Sequence, residues 1–271
     1  MSDFVYCLNS STIRPTPLLR KIEVAGQAGY SAIELWHDDL DAFIAGGGSL
    51  RDVRHALADQ QLTVPTTIFV KGWFETEEPE YSRVRDECRR RLDQAAEVGA
   101  VHTIAGPPAQ RADRAQGGRR YRELLEMGLA AGVRPAMEFL GFVEDLNTLE
   151  SAMDIVTRAD HPAGTVVLDP FHFFRGGGSL EGIAGLNESQ IAICHFNDAP
   201  ANPPRVEQHD KDRVLPGEGH LDLRRLLDLL RQVGYRRWLS LELFREDLWG
   251  RDPLEVARLG LERMRQVAET T

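Results

Sequence analysis

Four apolar stretches, far apart in the chain, each carry a metal-competent side chain at or near their end. They are Ala136-Met137-Glu138, Val166-Val167-Leu168-Asp169, Ala192-Ile193-Cys194-His195 and Leu239-Ser240-Leu241-Glu242. Three carboxylates gathered in one place repel one another unless they are protonated or share a cation. Two Glu, one Asp and one His form a hard, oxygen-rich set with a single imidazole. That set suits manganese, magnesium, cobalt or zinc and separates them poorly. Taken singly, each residue reads as an ordinary salt-bridge or hydrogen-bond partner. Placed alike on four successive strands, Glu138, Asp169, His195 and Glu242 read as one divalent-cation site.

Other residues are candidates for the substrate side of such a site. His172 follows Asp169 by three positions and is expected in the loop beyond the strand, where it can bond hydroxyls or shuttle protons. Pro170 fixes the chain direction between them. Arg213 lies in the long segment Asp198 to Gly219, within reach of a substrate oxygen, and Gly217 and Gly219 permit a tight backbone path there. Glu34 and Trp36 share a strand face and are expected to line the pocket, with Asn9 at the end of the first strand.

The elements that must position these residues alternate from end to end. Strands are predicted over Phe4–Asn9, Ser31–Trp36, Leu62–Val70, Ala100–Ala105, Val133–Phe139, Gly164–Asp169, Ile191–Asn197 and Arg237–Phe244. Helices are predicted over Pro17–Ala28, Leu50–Gln60 with Ser49 as N-cap, Glu80–Val98, Gly117–Ala131, Leu146–Arg158, Leu180–Gly185, Leu221–Val233 and Pro253–Ala268. Eight strands alternating with eight helices imply a parallel sheet covered by helices, closed into a (β/α)8 TIM barrel, one domain over residues 1–271. A doubly wound sheet is the alternative, but no GxGxxG follows the first strand. Side chains alternate between strand faces. Leu239, Leu241 and Leu243 then face the helices, while Ser240 and Glu242 face the barrel interior. Ala192, Cys194 and Phe196 are assigned outward by the same rule, and His195 and Asp169 inward. Barrel chemistry sits at the C-terminal ends of strands, where all four candidate ligands fall.

Bulk properties exclude several classes. A chain of 271 residues with 42% hydrophobic and 27% charged residues is an ordinary globular composition. The net charge of −10 disfavours a nucleic-acid surface. Three widely spaced cysteines form no disulfide framework and no CxxC zinc site, which fits a reducing cytoplasm. No apolar run is long enough to span a membrane, and no secretory leader is evident.

The motifs in combination resemble the xylose-isomerase-like barrel superfamily of sugar isomerases and epimerases. They are Met137-Glu138-Phe139, Asp169-Pro170-Phe171-His172, His195-Phe196-Asn197-Asp198, Asp212-Arg213-Val214-Leu215-Pro216-Gly217-Glu218-Gly219 and Ser240-Leu241-Glu242-Leu243-Phe244. Within it, Glu138-Phe139-Leu140-Gly141, Phe171-His172-Phe173, Glu242-Leu243-Phe244-Arg245 and the start Cys7-Leu8-Asn9 are most similar to the inosose (2-keto-myo-inositol) isomerases. The resemblance implies one divalent metal ion held by Glu138, Asp169, His195 and Glu242. It implies a keto-polyol or keto-sugar substrate, with His172 and Arg213 as contacts and Glu138 and Glu242 moving protons on opposite sides of it through a cis-enediolate. Ketose 3-epimerases and dehydratases of the 3-dehydroshikimate type share these ligands and remain alternatives. A segment rich in proline, Ala199 to Gln208, departs from the commoner epimerase spacing. The endonuclease branch needs extra ligands on strands three and four, which end here in Phe69-Val70 and Ala105-Gly106. A non-enzymatic sugar-binding barrel would carry the carboxylates without a metal. A homodimer is compatible with such a barrel.

Overall fold

The computed structural model describes residues 3–111 and 113–269. Eight parallel strands pair in chain order and close: β1 (Val5–Asn9), β2 (Ala32–Trp36), β3 (Val64–Val70), β4 (Ala100–Ala105), β5 (Arg134–Met137), β6 (Thr165–Leu168), β7 (Ile191–His195) and β8 (Trp238–Leu241). Closure is made where Val5 to Leu8 of β1 pair with Trp238 to Leu241 of β8. Helices between the strands bury one face against the barrel. The helix Leu223–Gln232 shows why, since Leu226, Leu227, Leu229 and Leu230 are all fully buried. Each stabilises the fold by about 1.5–3 kcal/mol.

Strand parity holds where it matters. Leu239, Leu241 and Leu243 join the outer core, and Gly260 on the last helix, Pro253–Glu269, leaves the space that Leu241 fills. A Cβ at Gly260 would stand 2.2 Å from Leu241 Cδ2. The inner cluster is small: Ile68, Ile104, Ala136, Val167, Ala192 and Ile193, with Trp36, Phe69 and Trp238 packed on it. Ala192 was assigned outward, and the structure places it inside. Val166 pairs with Ile191 but Val167 pairs with Ile193, so Ala192 is the extra residue of an irregularity. The shift sends Ile191 to the outer core and still leaves Ile193 and His195 inward.

Three α-helices were not anticipated: His37–Ala45, Pro170–Gly176 and Glu246–Trp249. The second corrects the expectation that His172 lies in a loop. Asp169 is the N-cap of this helix, accepting from the N–H groups of Phe171 (2.8 Å) and His172 (3.4 Å), and Pro170 occupies its first turn. The predicted helix at Gly117 begins earlier, at Arg114 with Asp113 as N-cap. Gly117 and Gly118 lie inside it because Phe74 and Arg158 pack where their Cβ atoms would be. The segment Leu180–Gly185 is a 3-10 helix. Among the described residues, no helix is long and apolar enough to cross a membrane.

Two buried histidines outside the candidate ligand group are expected to make the fold sensitive to acid. His37 Nδ1 meets Gln94 Oε1 at 2.5 Å, and His102 lies buried on β4. Burial, above all, holds both rings at a pKa of about 4, below the ordinary 6.5. Between about pH 6.5 and 4 the unfolded chain binds protons that the folded chain refuses. Their stabilising contribution is therefore complete above 6.5 and is lost as pH falls through that window, by about 3 kcal/mol for each ring. Urea unfolding of wild type and His102→Gln across pH 7 to 4 measures it. The wild type should lose about 3 kcal/mol relative to the variant, and parallel curves would contradict the assignment.

Candidate metal centre

Ligand atoms of Asp169, His195 and Glu242 lie within 4.8 Å of one another, all buried. His195 ends β7 with its Nε2 3.3 Å from Glu34 Oε2. Its Nδ1 makes no hydrogen bond of good geometry. Around that atom stand Glu242 Oε2 at 3.1 Å, Asp169 Oδ2 at 3.4 Å and Glu138 Oε1 at 3.8 Å. Nε2 thus faces Glu34, and Nδ1 faces three carboxylates. A proton or a cation among them is needed to make that arrangement favourable, and one imidazole nitrogen with three carboxylates is a donor set that fits a divalent ion. The structure thus brings three expected ligands into one tight group, with Glu138 at its edge.

The titration behaviour has the same cause. Burial, helped by Glu242 and Asp169 against the pull of His195, pushes the Glu138 carboxyl up to about 8. Burial also works against ionisation of Glu242, yet His195 and Arg213 hold it at about 2. Burial opposes a charge on His195 too, but Glu242 and Glu34 raise its pKa well above the ordinary value. Both shifts, upward for Glu138 and for His195, relieve the crowding of negative charge in the cluster.

Arg213 reaches the centre as expected and is fully buried. Its Nη1 bonds Glu242 Oε2 and lies 3.0 Å from Asp169 Oδ2, while Nη2 lies 2.7 Å from Asp210 Oδ1 and 2.9 Å from His172 Nε2. Phe171 and Phe244 flank its guanidinium, with ring centroids at 5.0 and 5.4 Å. The long loop is aimed by Asp198, which accepts from the N–H groups of Ala199, Gly217, Gly219 and Leu221. Gly217 has φ +84°, and a Cβ on Gly219 would overlap Asp198 and Ala199, so both glycines are required.

His172 accepts from Gly141 N–H at Nδ1 (3.2 Å), and burial keeps the ring at about 4, hence neutral. Both ring nitrogens face donors, Gly141 N–H at Nδ1 and Arg213 Nη2 at Nε2. The Arg213 guanidinium meets Nε2 at 2.9 Å, so the histidine and the arginine are held together at the cavity wall.

The open space above these groups is a cavity of about 170 Å³. Its polar lining is Glu138, Glu242, His172, Arg213 and Asp210; its apolar lining includes Trp36, Phe69, Ile104, Leu140, Phe142 and Phe244. Trp36 lines the pocket as expected. Glu34 does not: it is fully buried beneath, bonded to Asn9, Thr66, Ser240 and His195. It bonds His195 from below the cavity instead of lining it, because it stands two residues before Trp36 on β2. Sequence reasoning passed over Asp210 and Asn197. Asn197 Nδ2 lies 3.2 Å from Asp169 Oδ1, and its inward parity beside His195 was the available signal. Asp210, three residues before Arg213, had only its charge to mark it.

Residues 22–267 match the family described as the xylose isomerase-like TIM barrel. The chain belongs to this family. It is 30% identical over 239 residues to a 3-dehydroshikimate dehydratase of Pseudomonas aeruginosa, covering 84% of this chain but only 36% of that protein. It is 26% identical over 252 residues to an inosose isomerase of Bacillus velezensis, covering 90% of this chain and 89% of that one. Among solved structures, a crystal structure of IolI protein with a bound zinc atom superposes with a TM-score of 0.91 at 23% identity, covering 100% of this chain and 99% of that one. Within this family barrel, the tight ligand group lies at the C-terminal ends of β6, β7 and β8, the catalytic end.

Proposed function

We propose that this protein is an enzyme, a divalent-metal-dependent isomerase of a small keto-polyol, with inosose as substrate. The observation that carries the reading is His195 Nδ1, unbonded and facing three carboxylates at the floor of a cavity that also holds a neutral His172 and a buried Arg213. The full-length match to an inosose isomerase supports the substrate class. Free, buried cysteines at 7, 88 and 194 are compatible with a cytoplasmic setting.

A cation held by Asp169, His195 and Glu242, with Glu138 beside them, would supply Lewis-acid polarisation of the substrate ketone. The chain's own groups do the rest. Glu138 and Glu242 both line the cavity, where one removes the proton next to the ketone and the other returns a proton at the adjacent carbon. The intermediate is a cis-enediolate, and the hydroxyl proton passes from the oxygen that becomes the new ketone to the oxygen of the old one. Arg213, beside a neutral His172, faces a substrate oxygen and steadies the negative charge that develops there. The apolar wall of Trp36, Phe69 and Phe244 receives the C–H face of the ring and keeps water from the intermediate.

Dehydration is the second reading, favoured by the 30% identity to the dehydratase. It uses the same proton removal followed by loss of a β-hydroxyl. The two separate in one experiment: incubation with inososes or 3-dehydroshikimate in deuterated water, metal-replete. Deuterium entering next to the ketone with the hydroxyl count unchanged supports isomerisation. A water-loss product with no isomer would overturn it.

A further inference from the structure

Asn9 ends β1 on the inner face of the barrel, and every polar atom of its amide is in use. Its Oδ1 accepts from the indole N–H of Trp36 (2.9 Å) and the backbone N–H of Ser11 (3.0 Å). Two donors on that oxygen decide which way the amide faces. Its Nδ2 therefore points at carboxylates: Glu34 Oε1 at 3.0 Å and Glu242 Oε1 at 3.0 Å. Glu34 in turn reaches His195 Nε2 through its other oxygen. Asn9 is fully buried and does not border the cavity, so it touches no substrate.

We infer that Asn9 is a positioning residue, holding Glu242 by Oε1 so that Oε2 is presented toward Asp169 and His195, and bracing the carboxylate that orients His195. The inference rests on the metal-site reading above. The residue type suits the task. A lysine or arginine here would neutralise the carboxylates and compete with a divalent cation. An aspartate would repel both neighbours, and a serine offers one proton where two are needed. An amide donates twice without adding charge. Trp36 connects the same amide to the cavity wall, so one side chain fixes a ligand carboxylate, a ligand-orienting carboxylate and an aromatic surface.

The test is cobalt binding by metal-free protein, followed by competition with a chromogenic chelator and by the visible absorption of the bound ion. Wild type should bind one Co²⁺. Asn9→Leu, of similar volume but without hydrogen bonds, should bind 10- to 100-fold more weakly with a changed spectrum. Where Asn9→Leu does not fold, Asn9→Ser, which keeps one donor, should weaken binding about tenfold. In turnover, kcat should fall while KM stays within about threefold, a split that general destabilisation would not produce. If wild type binds cobalt and both variants bind it identically, the positioning role is wrong while the metal site stands. If wild type binds none, the metal reading fails and takes this inference with it.

Discussion

Replacing either cavity glutamate, Glu138→Gln or Glu242→Gln, should lower kcat by about 10²- to 10⁴-fold at saturating metal, the usual worth of a positioned acid or base. The two variants should differ in how they fail. Whichever glutamate removes the first proton, its loss abolishes both turnover and exchange of deuterium next to the ketone. Loss of the partner leaves that exchange running while the isomer no longer forms. Assays at several metal concentrations separate this from weakened ion binding, because both side chains stand beside His195. Activity within twofold of wild type in Glu242→Gln would remove that residue from the scheme.

Stripping divalent ions with a chelator should abolish turnover and lower the melting temperature, and readdition should restore both. The physical ground is the clustering of Glu138, Asp169 and Glu242 around one unbonded imidazole nitrogen. An ion at about 1,000 times its Kd stabilises the folded state by about 4 kcal/mol. For a domain of this size that is a melting shift of about 10 °C. Manganese, magnesium, cobalt and zinc added separately should rank by both readouts alike. Full activity after exhaustive chelation would remove the ion from the reaction.

The barrel was legible in the sequence because its signals are local and repeated. β-branched runs alternate with helical stripes, and Gly29 and Gly99 follow helices in left-handed conformation. The candidate ligands were legible because parity and strand ends are simple rules, and they held for Glu138, Asp169, His195 and Glu242. What was hidden depends on three-dimensional depth. Glu34 and Trp36 share a strand face, yet one lies beneath the floor and the other forms the wall, since the strand tilts through the cavity level. The short helix Pro170–Gly176 was obscured because Asp-Pro reads equally as the end of a strand and as the start of a helix. The irregularity at Ala192 leaves no mark in residue type, being a property of how β6 and β7 pair.

Asp169 divides its two oxygens. Oδ1 closes the first turn of the helix that carries His172, while Oδ2 faces His195 and Arg213. The rotamer of this carboxylate is therefore frozen when the chain folds, before any ion arrives. On the proposed metal-site reading, capture of an ion would forfeit little conformational entropy at this side chain, which has nowhere to swing when the ion departs. Loaded and empty forms should accordingly share one arrangement around residue 169, so that the protein behaves there as a rigid socket.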